Sequence, residues 1–314
     1  MFLDLFINEK EEGCHMADDI DKYLEILPED RGKLLGIPSK FPSVNRMTLG
    51  YQSGLLSVYH APTYEGKSIL LLNEANHIGV DLNIPTLLID TEMLKKQQQP
   101  RLLSIRTGIP PSQIKTGKYL STKQLTDKVK QEIEKIKQGN LFFVSVDDFN
   151  EEELERIVRY YIVKHKVQIV FFDYIKIPIV KGKDGLNETQ KIGNLVNFLK
   201  NGIAKRFDIA VVAACQSDEW ERNRPADSQR IKRFVDTLAN WRKKSREQLV
   251  KENCSNGLYE MEWQKDRESE EGSKVFCFDF IGKSAKIIEV ESLKFESDIK
   301  QSKIFDGEGK ELEF

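Results

Sequence analysis

Residues 60–70, HAPTYEGKSIL, combine glycine, lysine and serine at a spacing that suits phosphate binding. The stretch follows the phosphate-loop pattern G-x-x-x-x-G-K-[ST], with Ala61 in place of the first glycine. Gly66 lets the backbone approach an anion, the Lys67 ammonium can reach the β- and γ-phosphates, and the Ser68 hydroxyl can bind Mg²⁺. Alanine is tolerated at position 61 wherever φ is negative. The pattern predicts a nucleotide site formed by Ala61, Pro62, Thr63, Tyr64, Glu65, Gly66, Lys67 and Ser68, with the Glu65 carboxylate turned away from the anion.

Three more polar residues follow apolar runs, in the order that a nucleotide hydrolase requires. Asp173 ends IVFFD and can hold Mg²⁺ through water, whereas Glu92, just after TLLID, suits orienting or deprotonating an attacking water. Gln216 ends VVAACQ and could sense a γ-phosphate. Polar residues often end strands without any function, so neither Glu92 nor Gln216 alone indicates a hydrolase site. The ordered set of residues is what indicates one.

An alternation of short elements must position these side chains. Apolar runs predict buried strands at 55–59, 86–90, 141–146, 167–173 and 209–214. Helix-like segments lie between them at 68–77, 122–138, 151–164 and 186–205. The order predicts an α/β fold with a mostly parallel sheet flanked by helices, whose strand carboxyl ends form the site. LYEMEWQ and KVFCFDFIG, joined by a polar segment, predict an antiparallel hairpin at the sheet edge.

Composition bounds the class of protein. The 314 residues are 39% hydrophobic and 31% charged, with a net charge of −2, so no global field attracts nucleic acid. The four cysteines are scattered without a C-x-x-C pair, which favours buried thiols over disulfides or a zinc site. No run has the length of a membrane span and the start lacks a basic signal region, so we expect a cytoplasmic protein without a membrane partner.

The chain divides into three segments. Residues 1–38 include an amphipathic helix over 17–27, with Ile20, Tyr23, Leu24 and Leu27 on one face, which ends before Pro28. A linker rich in proline and glycine follows this helix. The catalytic domain is expected over 39–291, and 292–314 forms a charged tail. The helix can dock either on its own domain or on a neighbouring subunit.

The motifs together resemble the RecA-like ATPase domain of DnaB-type replicative DNA helicases. The similarity covers residues from about 40 to 290 and rests on the order of RMTLGYQSG, the phosphate loop, TLLIDTEM, IKTGKYL, IVFFDYIKI, VVAACQS and EWQKDRE. Alanine in place of the first loop glycine also occurs in that family. The resemblance implies a RecA-like sheet, ATP and Mg²⁺ as cofactors, and a homo-hexameric ring around single-stranded DNA.

The resemblance also implies roles for individual residues. Lys67 and Ser68 would bind phosphate and Mg²⁺, Asp173 would be the metal-associated acid, Glu92 the catalytic base, and Gln216 the link to the DNA-facing loops. Lys265 and Arg267 would complete the nucleotide site of the adjacent subunit. Alternation on a strand agrees, because Tyr259, Met261 and Trp263 form an apolar row that leads to these two cations. A solvated hairpin end remains the alternative.

DNA contacts would lie in the loops after the fourth and fifth strands. Residues 222–246 hold nine Lys and Arg against two acidic residues, the kind of charge that tracks a single-stranded backbone. A solvated basic helix is the alternative. The residues assigned to DNA are Lys181, Lys183, Arg222, Arg224, Arg230, Lys232 and Arg233.

Several features depart from the family pattern. Only about 40 residues precede the core here, where full-length relatives carry a domain that contacts primase; a primase and a helicase loader are therefore the partners implied by resemblance alone. Pro100 is expected to kink or restart a helix over KKQQQPRLL, and VDTLANWRKK is a poor match to an apolar strand over 235–257.

Three functions remain open from the sequence. The first is an ATP-dependent DNA helicase acting in replication. The second is a nucleotide-switched DNA-binding or accessory protein that unwinds nothing. The third, a RecA-like ATPase of recombination, matches RMTLGYQSG and KDR less well.

Overall fold

The computed structural model describes residues 34–178, 187–217, 225, 228–252, 257–265 and 274–290, with backbone alone at 228–230. Its first half contains α1 (Pro42–Thr48), β1 (Leu56–Ala61), α2 (Lys67–Asn76), β2 (Thr86–Asp90), α3 (Lys95–Thr107), α4 (Pro111–Lys115), α5 (Lys123–Gln138), β3 (Leu141–Ser145), α6 (Glu151–His165) and β4 (Ile169–Asp173). Its second half contains α7 (Glu188–Asn197), β5 (Ala210–Gln216), α8 (Ser228–Phe234), β6 (Thr237–Lys243), α9 (Arg246–Lys251), β7 (Tyr259–Lys265), β8 (Val275–Phe280) and β9 (Ile287–Val290). Helices α2 and α7 continue into π-helical turns, His77–Asp81 and Phe198–Lys205, and a 3₁₀ turn spans Lys118–Ser121.

The described strands form one mixed sheet in the order β3-β2-β4-β5-β1-β6-β7-β8-β9. Strands β1 to β6 pair in parallel, whereas β7, β8 and β9 continue the sheet antiparallel at one edge. Two apolar clusters cover the two faces: Tyr59 of β1 points into one and Val58 into the other. The predicted mostly parallel sheet with helices and an antiparallel edge hairpin is confirmed, and β9 is a further edge strand.

Local sequence sets where the helices begin and end. Helix α6 starts at Asn150, whose side chain accepts a hydrogen bond from Glu153 N, and three glutamates in its first turn complement the helix dipole. It ends at Lys166, which adopts a left-handed conformation. Helix α5 is capped at Thr122 in the same way. These caps agree with the helix starts that the sequence predicts.

Of the two expectations for Pro100, a restart is wrong, because α3 runs through this proline as one helix, whereas a kink stays a prediction. The missing N–H costs a helix about 3 kcal/mol in isolation. Tertiary bonds hold α3 in place: the Gln98 amide donates to Asp90 Oδ2 at 2.6 Å, and Ser104 Oγ accepts from Ala285 N at 3.0 Å. Packing therefore overrides the local preference.

The doubt about a strand within 235–257 is also wrong for its first part. Residues Thr237–Lys243 form β6, which is buried along most of its length and pairs in parallel with β1. The charged residue Arg242 is accommodated in this strand because it forms ion pairs with Glu260 and Glu262 of the neighbouring β7, at 2.6 and 2.9 Å. Part of the expected linker is likewise structured, since Ile37 pairs with Tyr51 and α1 begins at Pro42.

Candidate functional site

The phosphate-loop sequence connects the end of β1 to the start of α2, the strand–loop–helix setting that the pattern requires. Ala61 is the last residue of β1 and pairs with Gln216, so its extended backbone accommodates a methyl group. Gly66 has φ of 89°, and a Cβ added there would meet only Phe280, at 3.5 Å. The positive φ, rather than crowding, therefore requires glycine at this position. Tyr64, also at positive φ, is fully exposed.

Strand β6 fastens this loop from the side. The Trp241 indole N–H donates to the Glu65 carbonyl at 2.8 Å, and the Lys243 amide donates to Glu65 Oε2 at the same distance. The Glu65 carboxylate is therefore directed at the end of β6, as expected of an acidic residue in an anion-binding loop. The two bonds fix the loop before any anion binds.

Asp173 and Ser68 meet at the end of β4. The Ser68 hydroxyl lies beside the Asp173 carboxylate, whose negative charge it stabilises, and Asp173 is paired in register with Asp90 of β2. Burial of Asp173, reinforced by the Asp90 charge, raises the pKa of its carboxyl to about 7, against the opposing effects of Ser68 and Lys67. The Asp173 Oδ1 atom is buried without a hydrogen-bond partner among the described residues. An acceptor left in this state is suited to a cation or its water.

A hydroxyl and one carboxylate fit Mg²⁺ better than a metal that needs a full protein cage. In the described part of the chain, no group of three or more His, Cys, Asp or Glu side chains is arranged to hold a metal ion. Mg²⁺ commonly takes one or two protein ligands and completes its shell with phosphate oxygens and water. Ser68 and the free oxygen of Asp173 provide such a pair.

Lys67, Tyr174 and Glu92 form a chain beside this pair. The Lys67 ammonium lies 4.1 Å from the centroid of the Tyr174 ring, and the Tyr174 hydroxyl donates to Glu92 Oε1 at 2.9 Å. Burial and the bond to Glu92 raise the pKa of Tyr174 to about 12, so its hydroxyl stays a proton donor at neutral pH. Glu92 is exposed at the end of β2, where its carboxylate is oriented yet open to water. Sequence reasoning missed Tyr174, although it directly follows Asp173.

Gln216 lies at the end of β5 against the loop, where its amide donates to Thr63 Oγ1 at 2.7 Å. The structure therefore brings five predicted residues together at the carboxyl ends of the parallel strands: Lys67, Ser68, Glu92, Asp173 and Gln216. Sequence reasoning also missed His60, which is buried and contacts both Ser217 and Gln264. Its position directly before the loop is the signal that could have identified it.

Lys265 ends β7 but is directed back onto its own chain. Its ammonium donates to the carbonyls of Lys232 and Val235 at the end of α8, at 2.5 and 2.6 Å. In the single chain Lys265 is therefore bonded to the end of α8, and its role at the nucleotide of an adjacent subunit stays a prediction. To act on a neighbouring subunit, Lys265 would have to exchange these bonds for others.

Most residues assigned to DNA lie outside the described part of the chain. Lys181, Lys183, Arg222, Arg224 and the finger candidate Arg267 belong there, as does the amphipathic helix over 17–27. Arg230 is described by its backbone alone, in α8. Lys232 and Arg233, in the same helix, have exposed side chains that are accessible to a polyanion.

The fold matches solved structures of helicase and related ATPase domains. The solved structure of a DnaB-like replicative helicase, which also concerns its interactions with primase, superposes with a TM-score of 0.74 at 21% identity, covering 88% of this chain and 69% of that one. Another solved structure, of an ATPase domain, has a TM-score of 0.77 at 21% identity, covering 89% of this chain and all of that one. A KaiC-like protein of Pyrococcus horikoshii OT3 matches with a TM-score of 0.56 at 13% identity, covering 81% of this chain and 98% of that one. These likenesses define the class as a RecA-like α/β domain.

Residues 36–235 match the DnaB-like helicase C-terminal domain family, and the chain belongs to this family. Curated relatives agree. The replicative DNA helicase DnaB of Treponema pallidum is 24% identical over 204 residues, which cover 64% of this chain and 45% of that protein. That of Geobacillus stearothermophilus is 22% identical over 193 residues, which cover 62% and 42%. This chain thus spans less than half of the length of these relatives. Within the described residues, no helix combines the length and apolar character needed to cross a bilayer.

Proposed function

We propose that this chain is the ATP-hydrolysing motor of a replicative DNA helicase that translocates on single-stranded DNA. The observation that carries the proposal is the convergence of Gly66, Lys67, Ser68, Asp173 and Glu92 at one sheet edge in a member of the DnaB-like family. These are the types of group that hydrolysis of a triphosphate requires.

The chain's own residues divide the work. The Gly66 cap and the α2 N-terminus offer main-chain N–H groups to phosphate oxygens, and Lys67 neutralises their charge. Ser68 and Asp173 would hold Mg²⁺, which would supply positive charge to offset that of the phosphates. Glu92, held by Tyr174, orients a water for attack, and Gln216 reports the state of the γ-phosphate through the end of β5.

Assembly completes the proposal. We assign residues 1–38 to an N-terminal segment, 39–291 to the motor domain and 292–314 to a tail. In a homo-hexamer, Lys265 and Arg267 of one copy would supply cations to the nucleotide of the next, as arginine fingers do. Lys181, Lys183, Arg222, Arg224, Arg230, Lys232 and Arg233 would line the passage for DNA. A primase and a loader remain proposed partners, and the cytoplasm the proposed location.

ATP hydrolysis with and without single-stranded DNA tests the motor. We expect DNA to stimulate hydrolysis by the wild type, and both Lys67→Ala and Glu92→Gln to abolish it. Lys137→Ala, which removes a surface ammonium that pairs with Glu134 on α5, serves as the matched control and should hydrolyse normally. Hydrolysis that survives Lys67→Ala would refute the proposed site.

A forked duplex separates the helicase from a nucleotide-switched binding protein. Strand displacement that requires ATP and Glu92 supports the helicase. Nucleotide-dependent DNA binding without displacement would instead identify the accessory function.

A further inference from the structure

His60 occupies a position on β1 where the neighbouring side chains of the same face are aliphatic. Val58, two residues earlier on that face, packs in the apolar cluster with Leu56. His60 is also fully buried, but its ring makes two polar contacts: Nδ1 lies 2.9 Å from Ser217 Oγ, and Nε2 lies 3.0 Å from Gln264 Oε1. Burying a polar ring costs free energy unless both nitrogens are satisfied, and here both are.

The direction of these hydrogen bonds follows from the charge state of the ring. Burial lowers the pKa of His60 to about 4, with the positive charges of Lys232 on α8 and Arg242 on β6 acting in the same direction and Gln264 opposing them. The imidazole is therefore neutral at neutral pH, with one donor and one acceptor nitrogen. Because a Gln264 oxygen faces Nε2, this nitrogen donates, and Nδ1 accepts from the Ser217 hydroxyl.

The two partners of His60 adjoin the two residues that would respond to nucleotide. Ser217 directly follows Gln216, whose amide contacts Thr63 of the loop. Gln264 directly precedes Lys265 on β7. The His60 side chain reaches across β6, which lies between β1 and β7 in the sheet. A continuous path Ser217–His60–Gln264 thus connects the phosphate loop to the base of the Lys265 side chain.

We propose that His60 is a positioning residue that transmits the state of the bound nucleotide from the Gln216 end of β5 to the Lys265 end of β7. The inference rests on the proposed function and deepens it. When Gln216 engages a γ-phosphate, Ser217 shifts with it, and the neutral imidazole passes this shift to Gln264. Lys265 then exchanges its α8 carbonyls for the nucleotide of the next copy. His60 thereby links the hydrolysis site of one subunit to that of its neighbour.

Hydrogen exchange of the β7 amides tests this link without requiring hydrolysis. The full chain is measured with and without Mg²⁺ and a non-hydrolysable ATP analogue, whose binding is followed separately with a fluorescent nucleotide. Two variants each break one half of the path: His60→Asn can reach only Ser217, and His60→Gln only Gln264. Val58→Ala, an equally buried change on the same face of β1, controls for lost packing.

We expect the analogue to change exchange at residues 263–265 at least threefold in the wild type and in Val58→Ala. In both His60 variants the analogue should bind but leave these amides unchanged, and DNA-stimulated kcat should fall about tenfold while the KM for ATP stays within twofold. A β7 response that survives in the His60 variants overturns the link while the proposed function stands. Failure of the wild type to bind the analogue overturns the proposed function and removes the link with it.

Discussion

Replacing His60 with glutamine should remove a specific sensitivity of this protein to acid. Burial lowers the folded-state pKa of His60 from 6.5 to about 4. At a pH between these two values, His60 is protonated in the unfolded chain and neutral in the folded chain. The free energy of unfolding therefore falls as the pH falls through this range. Each pKa unit corresponds to about 1.4 kcal/mol, so the full effect is about 3 kcal/mol and about 2 kcal/mol is already lost at pH 5. Glutamine cannot titrate and escapes this loss.

Urea unfolding at pH 7.5 and pH 5.0 measures the effect for the wild type and His60→Gln. Carboxylates and other groups titrate alike in both proteins, so their contribution cancels when the two pH-induced changes are subtracted. We expect the wild type to lose about 2 kcal/mol more than the variant. Equal losses in the two proteins would show that His60 takes up a proton as easily in the fold as in the unfolded chain. The description of a neutral, fully buried imidazole would then be wrong.

Three further changes test other parts of the molecule. Tyr174→Phe removes the hydroxyl that orients Glu92, so kcat for ATP hydrolysis should fall about five- to tenfold with an unchanged KM. A raised KM at normal kcat would contradict the role of Tyr174 in orienting Glu92. Asp236→Ala deprives the buried Lys200 ammonium of its carboxylate and should lower the free energy of unfolding, measured in urea, by about 3–5 kcal/mol. Adding Lys200→Met should recover much of this loss. A loss below about 1 kcal/mol would argue against a buried pair. Gly66→Ala places a side chain on a residue with positive φ and should weaken the binding of a fluorescent nucleotide at least tenfold. Circular dichroism should show an unchanged fold. Normal nucleotide affinity would refute the loop geometry.

Periodicity predicted the parallel part of the sheet because most of its strands are buried on both faces. The runs TLLID and IVFFD are continuous apolar stretches, and the structure has strands over the same residues, Thr86–Asp90 and Ile169–Asp173. Strand β6 escaped this reasoning, since Asn240 is buried and Arg242 is neutralised by glutamates that lie some 20 residues later. A hydropathy pattern cannot register partners that only the completed sheet supplies.

The candidate site was predictable where it depends on local order and unpredictable where it depends on the register of distant strands. The loop and the strand-terminal residues Glu92, Asp173 and Gln216 could be identified because parallel strands bring their carboxyl ends together. The role of Tyr174 in holding Glu92 depends on how β4 and β2 align, and the direction of Lys265 depends on the end of α8. Neither can be derived from spacing along one strand.

The bonds from β6 to Glu65 have a consequence for how the protein matures on the ribosome. They join residues 176 and 178 positions apart, so more than half of the chain must be synthesised after the loop before the loop is secured. A nascent chain that ends before Trp241 would carry every residue of the phosphate pattern and still lack the scaffold that shapes it. Nucleotide binding can therefore stabilise the folded state only late, once synthesis has passed β6 and this strand has docked beside β1.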